Sequence, residues 1–179
     1  MGGRDAFIGK LDSLFTADSK LEGESTSVDI SGLIGQYAHG NEPSHHIAHL
    51  YNYVGQPWRT QEIVDEVLHT LYFNNPDGLS GNEDCGQMSA WYILNAMGFY
   101  QVCPGKPVYS IGRPLFNEAT VHLKDGKSFK VIAHNNSRDN KYVQSIVLNG
   151  NKLETPFFTH QDIVDGGTLE LTMGSEPLK

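Results

Sequence analysis

Residues 87–104 have the sequence QMSAWYILNAMGFYQVCP, and within them the chain changes from helical to strand character. Apolar residues recur at helical spacing up to Gly98, a residue type that commonly ends helices. After Pro104 the hydrophobic pattern has a period of two, which is typical of strands. We therefore expect a helical part over residues 1–103 and a small antiparallel β region over residues 104–179.

Three further segments upstream have the apolar spacing of helices. The best defined, residues 57–71, begins with a proline, which is favoured in the first helical turn. The others are residues 7–15 and 47–53. Between them, residues 22–27 and 74–86 are rich in small and polar side chains and predict loops.

Turn signals divide the β region. Two dipeptides typical of hairpin turns, Asp125-Gly126 and Asn149-Gly150, lie between β-rich segments. Thr159, with Asp162 three residues later, predicts the capped start of a short helix. The segments that we expect to form strands are residues 120–123, 128–133, 142–148, 151–158 and 168–172. The fold class is therefore α followed by β.

Composition narrows the classes of function. The 179 residues include 21 acidic and 13 basic side chains, for a formal net charge of -8. This balance disfavours nucleic acid as a partner, because a phosphate backbone requires a positive surface. The apolar runs are too short for a membrane span, and no signal peptide is evident at Met1.

Two polar loops begin with the same tripeptide, Gly-Asn-Glu. Residues 40–46 have the sequence GNEPSHH, and residues 81–89 have the sequence GNEDCGQMS. Each loop precedes a helical pattern, whose free N–H groups would hold carboxylates. One interpretation is a pair of helix caps. The other is that both loops meet at one pocket and supply oxygen ligands or acid and base groups.

Glu83 and Asp84 are adjacent, so we expect their side chains to point in different directions. One would be held by backbone donors while the other faces the pocket as a base. Paired carboxyl groups are what glycoside hydrolysis requires, and inverting enzymes hold them about 6.5–9.5 Å apart. The alternative is that both are solvated surface charges.

Histidine and aromatic residues allow two interpretations each. His45 and His49 have the i, i+4 spacing of zinc ligands, but His46 stands where the zincin pattern requires Glu. We therefore favour hydrogen-bonded or sugar-contacting histidines. Trp58 is either a structural residue or a stacking platform for a sugar. Cys85 has no base beside it in the sequence, which disfavours a nucleophile.

The two loops, together with Leu50-Tyr51-Asn52-Tyr53 and Gly55-Gln56-Pro57-Trp58, resemble glycoside hydrolase family 92. The resemblance extends over the whole chain. It implies a calcium-dependent, inverting, exo-acting α-mannosidase, with α-1,2 linkages as the expected specificity. The family fold is a β-sandwich followed by an (α/α)6 barrel. This chain resembles the C-terminal portion, with the last barrel helices and the strands that follow.

The resemblance also implies roles for single residues. Asp84 matches the general base, and Glu83 supports it or shares the role. The implied cofactor is Ca2+, and the implied partner is a mannose-containing oligosaccharide or N-glycan. The expected calcium ligands are Asn41, Glu42 and Asn82. The expected substrate contacts are Glu42, His45, His46 and Trp58.

The family's general acid is expected upstream of Met1, with Glu42 as the local alternative. We therefore expect the isolated chain to be inactive and to self-associate through exposed helix faces. The full-length bacterial enzyme is expected to be periplasmic or extracellular. An alternative is a non-catalytic mannose-binding or structural fragment that needs the missing upstream part.

Overall fold

The computed structural model describes residues 2–21, 27 and 29–179. Two turns of 3-10 helix, Glu42–Ser44 and Ile47–His49, precede the second α-helix. The predicted loop at residues 22–27 lies, apart from Ser27, outside the described residues. The elements of the first part are α1 (Arg4–Thr16), β1 (Leu33–Ile34), β2 (Tyr37–Ala38), α2 (Leu50–Tyr53), α3 (Pro57–Thr70) and α4 (Gln87–Ala96).

The predicted helices are confirmed where the apolar spacing is regular. α1 buries Leu11 and Phe15 on one face, and α3 starts with Pro57 in its first turn. The stretch at residues 47–53 is less regular, since it divides into a 3-10 turn and the single turn of α2. β1 and β2 form a small antiparallel hairpin.

The second part forms two sheets. One has five strands in the order β5-β6-β10-β7-β8, and the other has three in the order β3-β4-β9. A short helix, α5, begins at a capping box of Thr159 and Asp162, as predicted. The elements are β3 (Phe99–Gln101), β4 (Val108–Ile111), β5 (Glu118–His122), β6 (Ser128–His134), β7 (Tyr142–Leu148), β8 (Asn151–Lys152), β9 (Phe157–Thr159), α5 (His160–Val164) and β10 (Gly167–Gly174).

Three details correct the predicted β region. β3 begins at Phe99, so strand structure starts before Pro104. The predicted strand 151–158 is two strands in different sheets, since β8 pairs with β7 and β9 pairs with β4. β10 pairs antiparallel with β7 but parallel with β6. The connection between β6 and β10 is long enough for such a crossover.

Two hydrophobic cores correspond to the two parts. The first is built on α1, α3 and α4, and the second lies against the five-stranded sheet. Leu94 of α4 packs against both, which joins them. The described helices do not close a barrel by themselves, and the boundary at residues 103 and 104 stays a prediction.

Among the described residues, no helix has both the length and the apolar character needed to cross a bilayer.

Candidate active site

The two Gly-Asn-Glu loops touch each other in the folded chain. A Cβ atom built on Gly81 would lie 3.1 Å from the carbonyl oxygen of Gly40, and one built on Gly40 would lie 3.2 Å from that of Ser80. These approaches favour glycine, because a side chain would press on the opposite backbone. Residues 41–42 are thereby brought beside residues 82–84. The structure thus brings the two loops together, which is the second of the two interpretations that the sequence allowed.

The carboxyl groups of Glu42 and Asp84 meet at this junction. A hydrogen bond to Glu42, together with desolvation and the negative charge of the same neighbour, raises the pKa of Asp84 above its usual range. Asp84 is exposed, whereas Glu42 is partly buried. The Oε1 atom of Glu42 is buried and has no hydrogen-bond partner within the part of the chain that the structure describes. A cation or a water molecule would satisfy this oxygen.

The backbone that carries Asp84 has an uncommon conformation. Asp84, Cys85 and Gly86 have φ angles of 47°, 56° and 92°. The N–H of Gln87 donates to the carbonyl oxygen of Asp84 over 3.2 Å and closes the turn. A left-handed conformation costs a non-glycine residue roughly 1–2 kcal/mol. Two such residues in succession are typical of functional sites, where the surrounding structure holds the strain.

Glu83 is held by the start of α4, while Asp84 is not. The Oε1 atom of Glu83 accepts a hydrogen bond from the N–H of Ser89 over 3.2 Å. The Oε2 atom of Glu83 accepts one from the hydroxyl of the same serine over 3.1 Å. The two adjacent acids therefore have different surroundings, as expected from their adjacency. Asp84 is the one that remains available at the surface.

A third segment, which sequence reasoning missed, completes the junction. The side-chain amide of Asn82 donates to Asp29 over 3.4 Å. The hydroxyl of Ser31 is buried without a hydrogen-bond partner among the described residues, and it would lie 2.2 Å from a Cβ atom on Gly40. No motif marks Asp29 or Ser31, and the available signal was only the polar character of a stretch that ends at Gly32.

His45 lies beneath the junction and is 1% exposed. Its Nε2 is 2.9 Å from the carbonyl oxygen of His39, and its Nδ1 is 3.1 Å from the side-chain nitrogen of Gln87. Burial lowers the pKa of His45, which favours the neutral form of the ring. Neither ring nitrogen is left to contact a sugar, which argues against the predicted substrate contact. His46 is half-buried, and its contact with a sugar stays a prediction.

The spacing of His45 and His49 does not produce a shared face. His45 lies between the two 3-10 turns and His49 ends the second of them, so no single α-helix includes both residues. The ring of His49 bonds instead to Ser110 over 3.1 Å and to Asn95 over 2.8 Å. The two histidines therefore have separate hydrogen-bond partners. Both Cys85 and Cys103 are free thiols at the surface.

The contacts of Trp58 are outside the two Gly-Asn-Glu loops. It lines a cavity of about 180 Å³ at the start of α3, whose other walls come from β7, β8, the chain after β8 and Leu178. Across the described ranges, no hydrogen bond or ring contact joins Trp58 to the two Gly-Asn-Glu loops. The structure does not bring it to the carboxyl pair, and its role as a sugar platform stays a prediction.

The atoms at the junction are suited to a hard cation. Glu42 and Asp84 offer carboxylate oxygens, and Asn41 and Asn82 can offer amide oxygens. Ca2+ takes roughly six to eight oxygen ligands in a flexible geometry, so these residues fit it. Within residues 2–21, 27 and 29–179, no three His, Cys, Asp or Glu side chains gather as a metal site. A calcium site here would therefore use amide and carbonyl oxygens as well as the two carboxylates.

Comparison with protein families and curated proteins shows what the chain is similar to. The family model described as glycosyl hydrolase family 92 catalytic domain matches residues 1–175. An uncharacterized secreted glycosidase of Arthroderma benhamiae is 31% identical over 179 aligned residues, which cover 98% of this chain and 21% of that protein.

Solved structures from Bacteroides thetaiotaomicron have the same fold over this chain. A family GH92 α-mannosidase is 44% identical with a TM-score of 0.89, and its complex with mannoimidazole is 43% identical with a TM-score of 0.92. Each alignment covers 98% of this chain and 23% of that one. An inverting family GH92 mannosidase is 42% identical with a TM-score of 0.83, over 99% of this chain and 25% of its own. The chain thus spans a quarter or less of the length of these relatives.

Proposed function

The chain belongs to glycosyl hydrolase family 92, and on that premise we propose that it supplies the catalytic-base side of an inverting exo-α-mannosidase. Similar chains include α-mannosidases, one of them inverting and one solved with mannoimidazole. The substrate that this favours is a mannose-containing oligosaccharide or N-glycan. The observation that carries the proposal is the meeting of Glu42 and Asp84 at the contact of the two loops.

Asp84 is the general base in this proposal. Its carboxyl group is exposed on a turn that the start of α4 holds in place, and it is not occupied by backbone donors as Glu83 is. In an inverting reaction the base removes a proton from the water that attacks the anomeric carbon. Glu83 supports this arrangement by fixing the turn to Ser89.

The general acid is a residue other than Glu42 in this proposal. An inverting enzyme leaves room for water by holding its acid and base about 6.5–9.5 Å apart. Glu42 is the neighbour that most raises the pKa of Asp84, which indicates a shorter separation than this role requires. We propose that a segment upstream of this chain supplies the acid, as the family resemblance implies.

Calcium is proposed as the cofactor, held by Asn41, Glu42 and Asn82. When bound, the ion supplies coordination positions that orient sugar hydroxyls. The residues of this chain provide the oxygens around it, and the unpaired Oε1 of Glu42 would gain a partner. We also propose α-1,2 linkages as substrates and a periplasmic or extracellular location, which agrees with the secreted relative.

Hydrolysis of α-1,2-mannobiose by the complete gene product, with calcium present, tests this proposal. Asp84→Asn is expected to lower kcat by about 10²–10⁴, the usual contribution of a general base. Asp125→Asn is the matched control, because Asp125 also has a positive φ, of 64°, but lies in the turn between β5 and β6. NMR of the first product should show the inverted anomer. Undiminished activity of Asp84→Asn would refute the assignment of the base.

Binding experiments separate the alternatives. Titration of the complete gene product with mannose, with and without calcium, should accompany the rate measurements. Calcium-dependent binding without hydrolysis would favour a non-catalytic mannose-binding protein. For the isolated chain we propose no turnover and self-association, which size measurements at several protein concentrations would detect.

A further inference from the structure

The two loops that carry the carboxyl pair are connected by the imidazole ring of His45, itself a residue of the first loop. On one side, Nε2 of His45 bonds to the carbonyl oxygen of His39, the residue before Gly40. On the other side, Nδ1 of His45 bonds to Gln87, the first residue of α4. The backbone N–H of Gln87 in turn donates to the carbonyl oxygen of Asp84. A single ring therefore connects the start of the first loop to the end of the second.

The hydrogen bonds of His45 are compatible with one tautomer. A carbonyl oxygen can only accept, so Nε2 carries the proton that is donated to His39. Nδ1 is then the acceptor, and the amide nitrogen of Gln87 donates to it. The second N–H of that amide donates to the hydroxyl oxygen of Tyr100 over 3.2 Å. Both amide donors of Gln87 and both nitrogens of His45 are thus in use.

The ring is fixed by its surroundings. The indole nitrogen of Trp91 donates to the carbonyl oxygen of His45 over 3.0 Å. The ring of His39 stacks on that of His45 with their centroids 4.8 Å apart. Because His45 is almost completely buried, water cannot readily replace a lost partner.

We infer that His45 and Gln87 are positioning residues whose hydrogen bond sets the placement of Asp84 relative to Glu42. The catalytic consequence rests on the proposed function, whereas the bond itself does not. Misplacement of a reacting group by about 1 Å can cost about 10²-fold in rate. His45 therefore acts by holding the two loops in place and not by contact with a sugar.

Replacement of Gln87 tests the inference kinetically in the complete gene product. Gln87→Met keeps the length of the side chain and removes both donors. We expect kcat for α-1,2-mannobiose to fall at least about tenfold while KM stays within about twofold, because the change affects the transition state more than binding. The control is Gln161→Met on α5, which removes the exposed amide that donates to Asp165 over 2.7 Å. Equal kcat values for the two variants would overturn the inference.

Hydrogen exchange on the 179-residue chain tests the bond without relying on activity. Gln87→Met should accelerate amide exchange in residues 40–42 as well as in residues 82–86, and Gln161→Met should accelerate neither. Acceleration confined to residues 82–86 would overturn the inference. If the native gene product hydrolyses no α-mannoside but both loops exchange faster in Gln87→Met, the proposed function fails and the positioning role stands.

A measurement on the unsubstituted chain covers the case in which Gln87→Met does not fold. Nitrogen NMR should find the proton of His45 on Nε2, with Nδ1 unprotonated. A proton on Nδ1 would contradict the donation from Gln87 and overturn the inference.

Discussion

At Gly81 a left-handed backbone and a close contact act on the same residue. Its φ is +75°, and an added Cβ atom would lie 3.1 Å from the carbonyl oxygen of Gly40. Gly126, in the turn between β5 and β6, has the same φ of +75° but no heavy atom within 4 Å of the corresponding position. Comparison of the two glycines separates the cost of the backbone conformation from the cost of pushing the loops apart.

Gly126→Ala is expected to lower the free energy of unfolding by roughly 1–2 kcal/mol, from the backbone conformation alone. Gly81→Ala should lose that amount and a further 1–3 kcal/mol or so, because the new methyl group is forced against the other loop. Urea denaturation of both variants measures the difference. Equal losses would show that the loops tolerate separation at no cost.

Among the elements, the turn before α2, helix α4 and strand β4 are joined by the ring of His49. Nδ1 bonds to Ser110 in β4, and Nε2 bonds to Asn95 in α4. The amide nitrogen of Asn95 already donates to Trp91 over 2.9 Å, so its oxygen accepts from Nε2. Burial lowers the pKa of His49 to about 4, although the hydrogen bond to Asn95 opposes this shift.

The unfolded chain takes up a proton at His49 before the folded chain does, since an unfolded histidine has a pKa of about 6.5. Stability should therefore be unaffected by this group above about pH 6.5 and should fall as the pH decreases toward 4. The full effect is up to about 3 kcal/mol. His49→Gln should show a shallower decrease over this range, measured by urea unfolding at several pH values.

His134→Gln is the control for this titration, because His134 is exposed and bonds to Glu170 at the surface. His39 does not change the difference in stability between the native chain and His49→Gln. Burial lowers its pKa to about 3, and it contributes equally to both proteins. Parallel stability curves for the native chain and His49→Gln would contradict the prediction.

Elements with a local signal were predictable from the sequence. Asp125 and Gly126 have φ angles of 64° and 75°, as a hairpin dipeptide requires. Thr159 and Asp162 form the capping box because each satisfies the backbone N–H of the other. The parallel pairing of β10 with β6 was not predictable, since the alternation of a strand does not specify its neighbour.

The same distinction applies to the site. The different surroundings of Glu83 and Asp84 were predictable, because side chains of adjacent residues point in different directions. Asp29 reaches the junction through a contact with Asn82, 53 positions away, which no local pattern records. Trp58 was predicted from its chemistry alone, and the packing of α3 on β7 places it in another groove.

On the scale of the whole molecule, a buried ion pair joins the helical part to the sheets. Arg113 follows β4 and is 2% exposed, and its Nε lies 2.9 Å from Asp65 in α3. Its guanidinium also donates to the carbonyl oxygens of Pro114 over 2.6 Å and Ser137 over 3.0 Å. Burial lowers the pKa of Arg113, and the carboxylate of Asp65 opposes that shift. The pair thus holds α3 against both sheets.

Arg113→Met should lower the free energy of unfolding by about 3–5 kcal/mol, because it leaves the Asp65 carboxylate without its buried partner. We expect a loss near the lower end of this range, because Asp65 keeps two other basic neighbours. His69 lies 3.2 Å from it and Arg138 lies 3.6 Å away. The double variant Arg113→Met/Asp65→Leu should recover much of the loss, since no unpaired charge remains.

Lys130→Met is the control for these losses of stability. It removes an exposed ion pair with Glu118, whose N–O distance is also 2.9 Å. Solvent screening limits that pair to about 0–1 kcal/mol. Urea unfolding of all three variants measures whether burial decides the difference. If Arg113→Met and Lys130→Met lose the same amount, the two parts are held by other contacts, among them those of Leu94 and His49, and not by this charge pair. If the double variant fails to recover, the carbonyl contacts of Arg113 outweigh its charge.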